Sequence, residues 1–157
     1  MNRLSLEEML AELARISDEL GRLTRTFLSP AMRRANAQVA RWMREAGLAV
    51  RVDAVGNIVG RRAGVPVATQ TLLLGSHLDT VHDAGRFDGA LGVLLPIVAL
   101  GELRRRGVTL PFAFEVIGFA EEEGVGFASA YLVSKGYAGT VRAADCNLRD
   151  DKGVSVG

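Results

Sequence analysis

The sequence predicts an α/β fold built on a mixed, mostly parallel sheet, and three observations carry that prediction. Two apolar runs of strand length, Thr71 to Gly75 and Phe112 to Phe119, are each followed by a polar loop and then by a stretch that reads as helix. That succession is the repeating unit of a parallel sheet. Within the first run, Thr71-Leu72-Leu73-Leu74 shows no alternation, as expected of a central strand buried on both faces. Ahead of it, Leu48 to Asp53 alternates apolar with polar residues and Asn57 to Arg62 follows Gly56, which reads as a hairpin at the sheet's edge.

The helices follow from their end signals and stripes. Ser5 with Glu8 three residues later forms a capping box, Leu4 and Met9 stand at the positions of a hydrophobic staple, and Leu6, Met9, Leu13, Ile16 and Leu20 form a stripe. A first helix is expected to run to Gly21. Ser29-Pro30 opens a second, with serine as cap and proline at the first helical position. Met32, Ala35, Val39, Trp42 and Ala46 form its buried stripe and Gly47 its stop; Trp42 and Met43 read as core. Gly64 to Gln70, with Pro66, reads as a loop. Gly89 to Arg106 is helical in period and ends at Gly107, but Pro96 lies inside it. An interior proline removes a backbone hydrogen bond at a cost of ~3 kcal/mol, so a kink near Leu95 or a broken helix is expected. Gly126 to Ser134 reads as a short helix closed by Gly136, and Asp145 to Gly157 as a frayed end.

Composition bounds the function. The chain has 157 residues, 48% hydrophobic and 24% charged, with 19 Lys and Arg against 18 Asp and Glu. That suits one globular domain with a sizeable core, and a net charge of +1 gives no excess to attract nucleic acid or an anionic membrane. Arg104-Arg105-Arg106 falls at a predicted helix end, where cations favour the negative pole of the macrodipole, and reads as a solvated face. The single cysteine, Cys146, excludes an intrachain disulfide and fits a reducing compartment. The longest apolar run, Ala90 to Leu100, is too short to span a bilayer. A soluble, cytoplasmic protein is expected.

The chemistry lies in the two loops. Gly75-Ser76-His77-Leu78-Asp79-Thr80 leads to Phe87-Asp88-Gly89, and Phe119-Ala120 to Glu121-Glu122-Glu123-Gly124. Loops at the carboxyl ends of parallel strands face the crevice where ligands bind. His77 can offer an imidazole to a divalent ion, while Asp79, on the same side of an extended segment, can orient it. Asp88 and one of the three glutamates can add carboxylates, and a neighbouring glutamate is then free to act as a base. Each residue also has a plain reading: His77 as a core histidine, Asp88 as a helix cap, the glutamates as a surface turn. Three like charges after an apolar strand repel one another unless something positive sits among them.

Taken together, His77-Leu78-Asp79-Thr80, Gly85-Arg86-Phe87-Asp88-Gly89-Ala90-Leu91-Gly92 and Glu122-Glu123-Gly124 resemble the signature of dinuclear metallohydrolases related to aminoacylase and carboxypeptidase G. More narrowly they are similar to the branch of N-carbamoyl-L-amino acid hydrolase, allantoate amidohydrolase and beta-ureidopropionase, from about Leu23 onward. The resemblance implies a three-layer helix/sheet/helix arrangement, the N-terminal part of a phosphorylase/hydrolase-like zinc-peptidase catalytic domain. It implies His77, Asp88 and Glu123 as metal ligands, Asp88 bridging two divalent ions (Zn, Mn, Co or Ni), with Asp79 and Glu122 catalytic and Glu122 the general base toward a bridging water. Glu121 is then a spectator, His82 an outer-loop residue, and Gly85, Gly89, Gly92 and Gly124 serve tight backbone geometry. The implied substrate is a small linear amide with a non-peptide C–N bond, such as an N-carbamoyl-L-amino acid, allantoate or another ureido acid. An aminopeptidase, an aminoacylase or a non-catalytic interaction domain is the alternative.

Two departures qualify this. Members of the family carry Ser-Arg-Phe after the glycine at which this chain has Val125-Gly126-Phe127. They are also longer, with two further histidine ligands and a lid and dimerisation domain. Residues 1–157 are therefore expected to form a single, incomplete catalytic domain with weak metal binding and little turnover, self-associating as a homo-oligomer through an uncovered sheet edge.

Overall fold

A computed structural model describes residues 4–64, 70–127, 129–150 and 152–156. Helices α1 (Leu6–Ala14) and α2 (Pro30–Glu45) precede strands β1 (Ala49–Val52), β2 (Ile58–Arg62) and β3 (Thr71–His77). Helix α3 (Ala90–Arg105), strand β4 (Ala113–Phe119) and the short helix α4 (Leu132–Tyr137) follow, then a single 3₁₀ turn, Asp145–Asn147. Of the loop expected from Gly64 to Gln70, residues 65–69 lie outside the described residues.

The sheet is mixed, in the order β1-β2-β4-β3. β1 with β2 and β2 with β4 are antiparallel, and β3 with β4 is parallel, in a register that sets His77 opposite Phe119. The edge hairpin is present as expected. β3 is not central, however. It pairs only with β4 among the described residues, and Leu72 and Leu73 remain 42% and 47% exposed. Its unbroken apolar run reflected two faces suited to burial, which says nothing about how many strands lie alongside. The buried centre is β4, where Val116 and Ile117, on opposite faces, are both fully buried.

Residue alternation sorts the layers. Ile58, Phe114, Val116 and Leu74 join the core with α2 and α3, and a Cβ on Gly60 would strike Met43 of α2. On the other face Tyr137 of α4 donates to Glu115 at 2.8 Å and stacks edge-on against Phe119.

Several predicted ends shift. The capping box of α1 is formed, with Ser5 accepting from Glu8 N and Glu8 from Ser5 N. The helix stops at Ala14 and not near Gly21, because Ser17 offers its hydroxyl to the amides of Glu19 and Thr24, and Asp18 N donates to Thr24 O. Serine and aspartate compete with the helix for backbone partners in this way, and Leu20 ends fully exposed. Helix α2 keeps its Ser29 cap, its Pro30 start and its buried stripe. Pro96 lies within an unbroken α3. The expected helix from Gly126 to Ser134 forms later, and Gly136 lies inside it instead of closing it. The segment expected to fray holds an isolated bridge between Arg149 and Ser155. Cys146 is free and exposed. Among the described residues no helix is long and apolar enough to cross a membrane.

Candidate metal centre

His77 ends β3, and the parallel register brings it beside the loop that leaves β4 after Phe119. Its Nδ1 lies 3.0 Å from the main-chain carbonyl of Asp79. A carbonyl can only accept, so Nδ1 carries a proton, and Nε2 of a neutral ring keeps its lone pair for a ligand. Nε2 faces Asp88, whose Oδ1 is 3.6 Å away. The turn into α3 makes this approach possible: Gly89 has φ 61°, and a Cβ there would lie 2.5 Å from the His77 carbonyl oxygen and 2.6 Å from its ring. Gly89, not Asp88, is the N-cap of α3, so the Asp88 carboxylate is not consumed by capping and stands 60% exposed.

His77, Asp88 and Glu123 each offer one ligand atom, and these three atoms lie within 4.8 Å of one another. Imidazole nitrogen with two carboxylate oxygens is a donor set that suits zinc and other divalent ions of its kind. The residues present therefore fit one such ion. Glu122 stands outside the triplet but close enough for its charge to act on both His77 and Glu123.

Asp79 lies against the imidazole as expected, with its main chain making the closer contact. The imidazole is held by its backbone carbonyl, while its carboxylate Oδ1 is 3.5 Å from Nδ1. Oδ2 accepts from the backbone amides of Glu122 and Glu123, at 2.9 and 3.0 Å. A side chain from the first loop thus fixes the main chain of the second. Glu121 does not lie in a solvated surface turn: it is buried, and neither of its oxygens has a full hydrogen bond among the described residues. His82, by contrast, sits at the surface, its Nδ1 3.1 Å from Glu19.

The charges respond to this crowding. Burial alone would lower the pKa of His77, but the hydrogen bonds and charge of Asp79, with the charge of Glu122, outweigh it and raise the imidazole to about 9. Burial, with Asp79 nearby, pushes Glu121 up to about 7. Burial also raises Glu123, with Asp88, Glu122 and Asp79 adding to the rise and His77 opposing it.

Two buried polar residues were missed in the sequence. Arg25 is 1% exposed and donates to the carbonyls of Leu78, Leu13 and Ile16. Asn57 accepts from Ala120 N and donates to Asp53 and to the carbonyl of Val133, tying β2 to the start of the glutamate loop and to α4. Neither has a motif or a period; both read locally as surface residues.

Nitrogen and oxygen donors gathered at the carboxyl ends of two adjacent parallel strands form the kind of site presented by metal-dependent hydrolases. No family model matches the chain. It is 44% identical over 149 residues to allantoate deiminase of Arabidopsis thaliana, covering 94% of this chain and 28% of that protein. It is 38% identical over 152 residues to N-carbamoyl-L-amino acid amidohydrolase of Geobacillus stearothermophilus, covering 96% and 37%. A crystal structure of a hydantoinase/carbamoylase family amidase from Burkholderia ambifaria superposes with a TM-score of 0.89 at 36% identity, over 97% of this chain and 38% of that one. The chain is thus homologous to the amidohydrolases of the hydantoinase/carbamoylase family, and it spans about a third of the length of the relatives it matches.

Proposed function

We propose that this chain carries part of the active site of a metal-dependent amidohydrolase that cleaves a non-peptide C–N bond in a small linear amide: an N-carbamoyl-L-amino acid, allantoate or a similar ureido acid. The convergence of His77, Asp88 and Glu123 within 4.8 Å carries this reading, and the names of the homologues supply the substrate class. A bound divalent ion would supply Lewis acidity toward the carbonyl under attack. His77 presents Nε2 because the Asp79 carbonyl holds Nδ1–H. Asp88 and Glu123 close the donor set with anionic oxygens, and Asp79 fixes the main chain that carries Glu122 and Glu123. Glu122, whose charge acts on His77 and Glu123, would take a proton from the attacking water and return it to the leaving nitrogen, a role that contributes ~10²–10⁴-fold.

The chain contains two histidines, and only His77 reaches the cluster. Metal binding by this chain alone is therefore expected to be weak and turnover small. The test is metal analysis together with hydrolysis assays on allantoate, N-carbamoyl-L-amino acids and a dipeptide side by side. Zinc or cobalt binding abolished by His77→Ala, with any turnover confined to the ureido substrates, is the expected result. Binding untouched by that substitution, or cleavage of the dipeptide alone, would overturn the reading.

A further inference from the structure

We propose that Arg25 is a positioning residue of the candidate metal centre: its buried guanidinium, braced against α1, holds the His77 to Thr80 loop where Asp79 can clasp the amides of Glu122 and Glu123. The inference rests on the metal-site reading above but concerns a residue outside the donor set and outside both motif loops.

Three observations support it. The guanidinium is almost wholly buried, yet every hydrogen bond it makes is to a carbonyl oxygen: Nε–H to Leu78 at 2.6 Å, and Nη1 to Leu13 at 3.2 Å and Ile16 at 3.1 Å. Leu78 is the residue between His77 and Asp79, so one bond fixes the peptide that joins the candidate ligand to its orienting group. The main chain of Arg25 reinforces the bond, since its N–H donates to Thr80 Oγ1 at 2.8 Å and its carbonyl accepts from Thr80 N at 3.0 Å. Upstream, Leu23 O accepts from Ala84 N and Thr24 Oγ1 from Asp83 N. Residues 23–25 thus run as a rail beside the loop.

A buried cation costs several kcal/mol unless something compensates it. The opposite charges acting on Arg25 are Asp79 and Asp18. Asp79 in turn lies among Glu121, Glu122 and Glu123, and Arg25 sets a fixed positive charge behind that acidic group. A neutral apolar residue in its place would take this donor from the carbonyls of Leu78 and Ile16, leave Leu13 O with its bond from Ile16 N alone, and remove a positive charge that acts on Asp79. The consequence falls on the clasp: if Asp79 is free to turn, the distance between His77 and Glu123 is no longer set.

The test compares native chain, Arg25→Met, His77→Ala and Val39→Ala, the last a buried substitution in α2 remote from the site. Amide hydrogen exchange in the absence of metal is read at Glu122 and Glu123 against Val116 and Ile117 of β4, and cobalt affinity is measured by titration. In Arg25→Met the two glutamate amides should exchange at least about tenfold faster relative to β4, and cobalt should bind roughly 10–100-fold more weakly, the usual consequence of losing an outer partner of a ligand. Val39→Ala should speed all four amides alike. Exchange at Glu122 and Glu123 that tracks global stability equally in both variants would overturn the proposal. If Arg25→Met does not fold, the native chain decides: the Arg25 Nε–H should be protected and should open together with the Glu122 and Glu123 amides, and independent opening would refute the coupling. Cobalt binding that His77→Ala leaves intact defeats the metal reading alone, since the exchange comparison needs no metal.

Discussion

Asp79 is 2% exposed, and a single oxygen of its carboxylate accepts from two consecutive backbone amides. Removing an acceptor there strands two donors, and hydrogen bonds to charged groups are the stronger kind. Asp79→Ala is expected to cost roughly 2–4 kcal/mol in urea denaturation, and Asp79→Asn clearly less, because a carboxamide oxygen still accepts from both amides; equal losses would show that the clasp is not what Asp79 contributes. The titrating groups give a second prediction. His77, raised from 6.5 to about 9, binds its proton more readily in the folded state, so its stabilisation is complete below 6.5 and is lost as pH rises through about 9. Glu121, raised from 4.5 to about 7, has the same sign in the window from 4.5 to 7. The urea midpoint of the metal-free chain should therefore fall in two stages between those limits, and Glu121→Gln should remove the first. A midpoint that climbs across this range would contradict both assignments. The three residues that converge within 4.8 Å were legible in the sequence, because His77, Asp88 and Glu123 sit in recognisable spacings. The sequence did not reveal the Asp79 clasp or Arg25, since a residue that bonds to main chain far along the sequence leaves no periodic trace.

Helix α3 packs on β3 through glycine. Gly92 faces Ser76, and a Cβ at Gly92 would lie 2.6 Å from the Ser76 Cβ, an atom fixed to the strand backbone and unable to swing aside. Alanine ordinarily favours a helix over glycine by ~1 kcal/mol, but here overpacking of about 1–3 kcal/mol opposes and exceeds that gain. Gly92→Ala should thus lower the thermal midpoint, and Ser76→Gly in the same chain should restore most of it. If the single variant is stabilised, the two elements do not meet as closely as described. The same helix shows how far local signals reach. Its boundaries were legible from Gly89 and Gly107, and those of α2 from Ser29-Pro30 and Gly47. That α3 runs unbroken through Pro96 was left open by the sequence, because the cost of the proline is set against the burial of Val93, Leu94, Ile97 and Leu100 around it, which a local rule cannot weigh. Helix α1 fails in the opposite direction: its stripe continues to Leu20, but Ser17 and Asp18 find partners in Thr24 and Ala31 that no helical period anticipates.

Across the whole molecule, strand order places the candidate site near one margin of the sheet. His77 belongs to β3, which has a strand on one side only among the described residues, while Glu122 and Glu123 follow its single neighbour, β4. The mixed sheet and its edge hairpin were readable from alternation and turn residues, whereas strand order was not, because an apolar run fits a pleated surface equally well at the centre or the margin. Among the described residues no strand pairs with the outer line of β3, and Leu72 and Leu73 are both substantially exposed on opposite faces. Open edges of this kind pair with other strands unless charge or a covering element prevents it, and no lysine or arginine lies between Thr71 and His77. We propose that two copies of the chain associate through β3. Light scattering over a range of concentrations should show a mass rising above that of one chain, and Leu73→Lys, which sets a charge on the margin without disturbing a buried position, should shift the population toward the monomer. A single-chain mass at every concentration would rule out this association, and a dimer indifferent to Leu73→Lys would place the contact elsewhere on the surface.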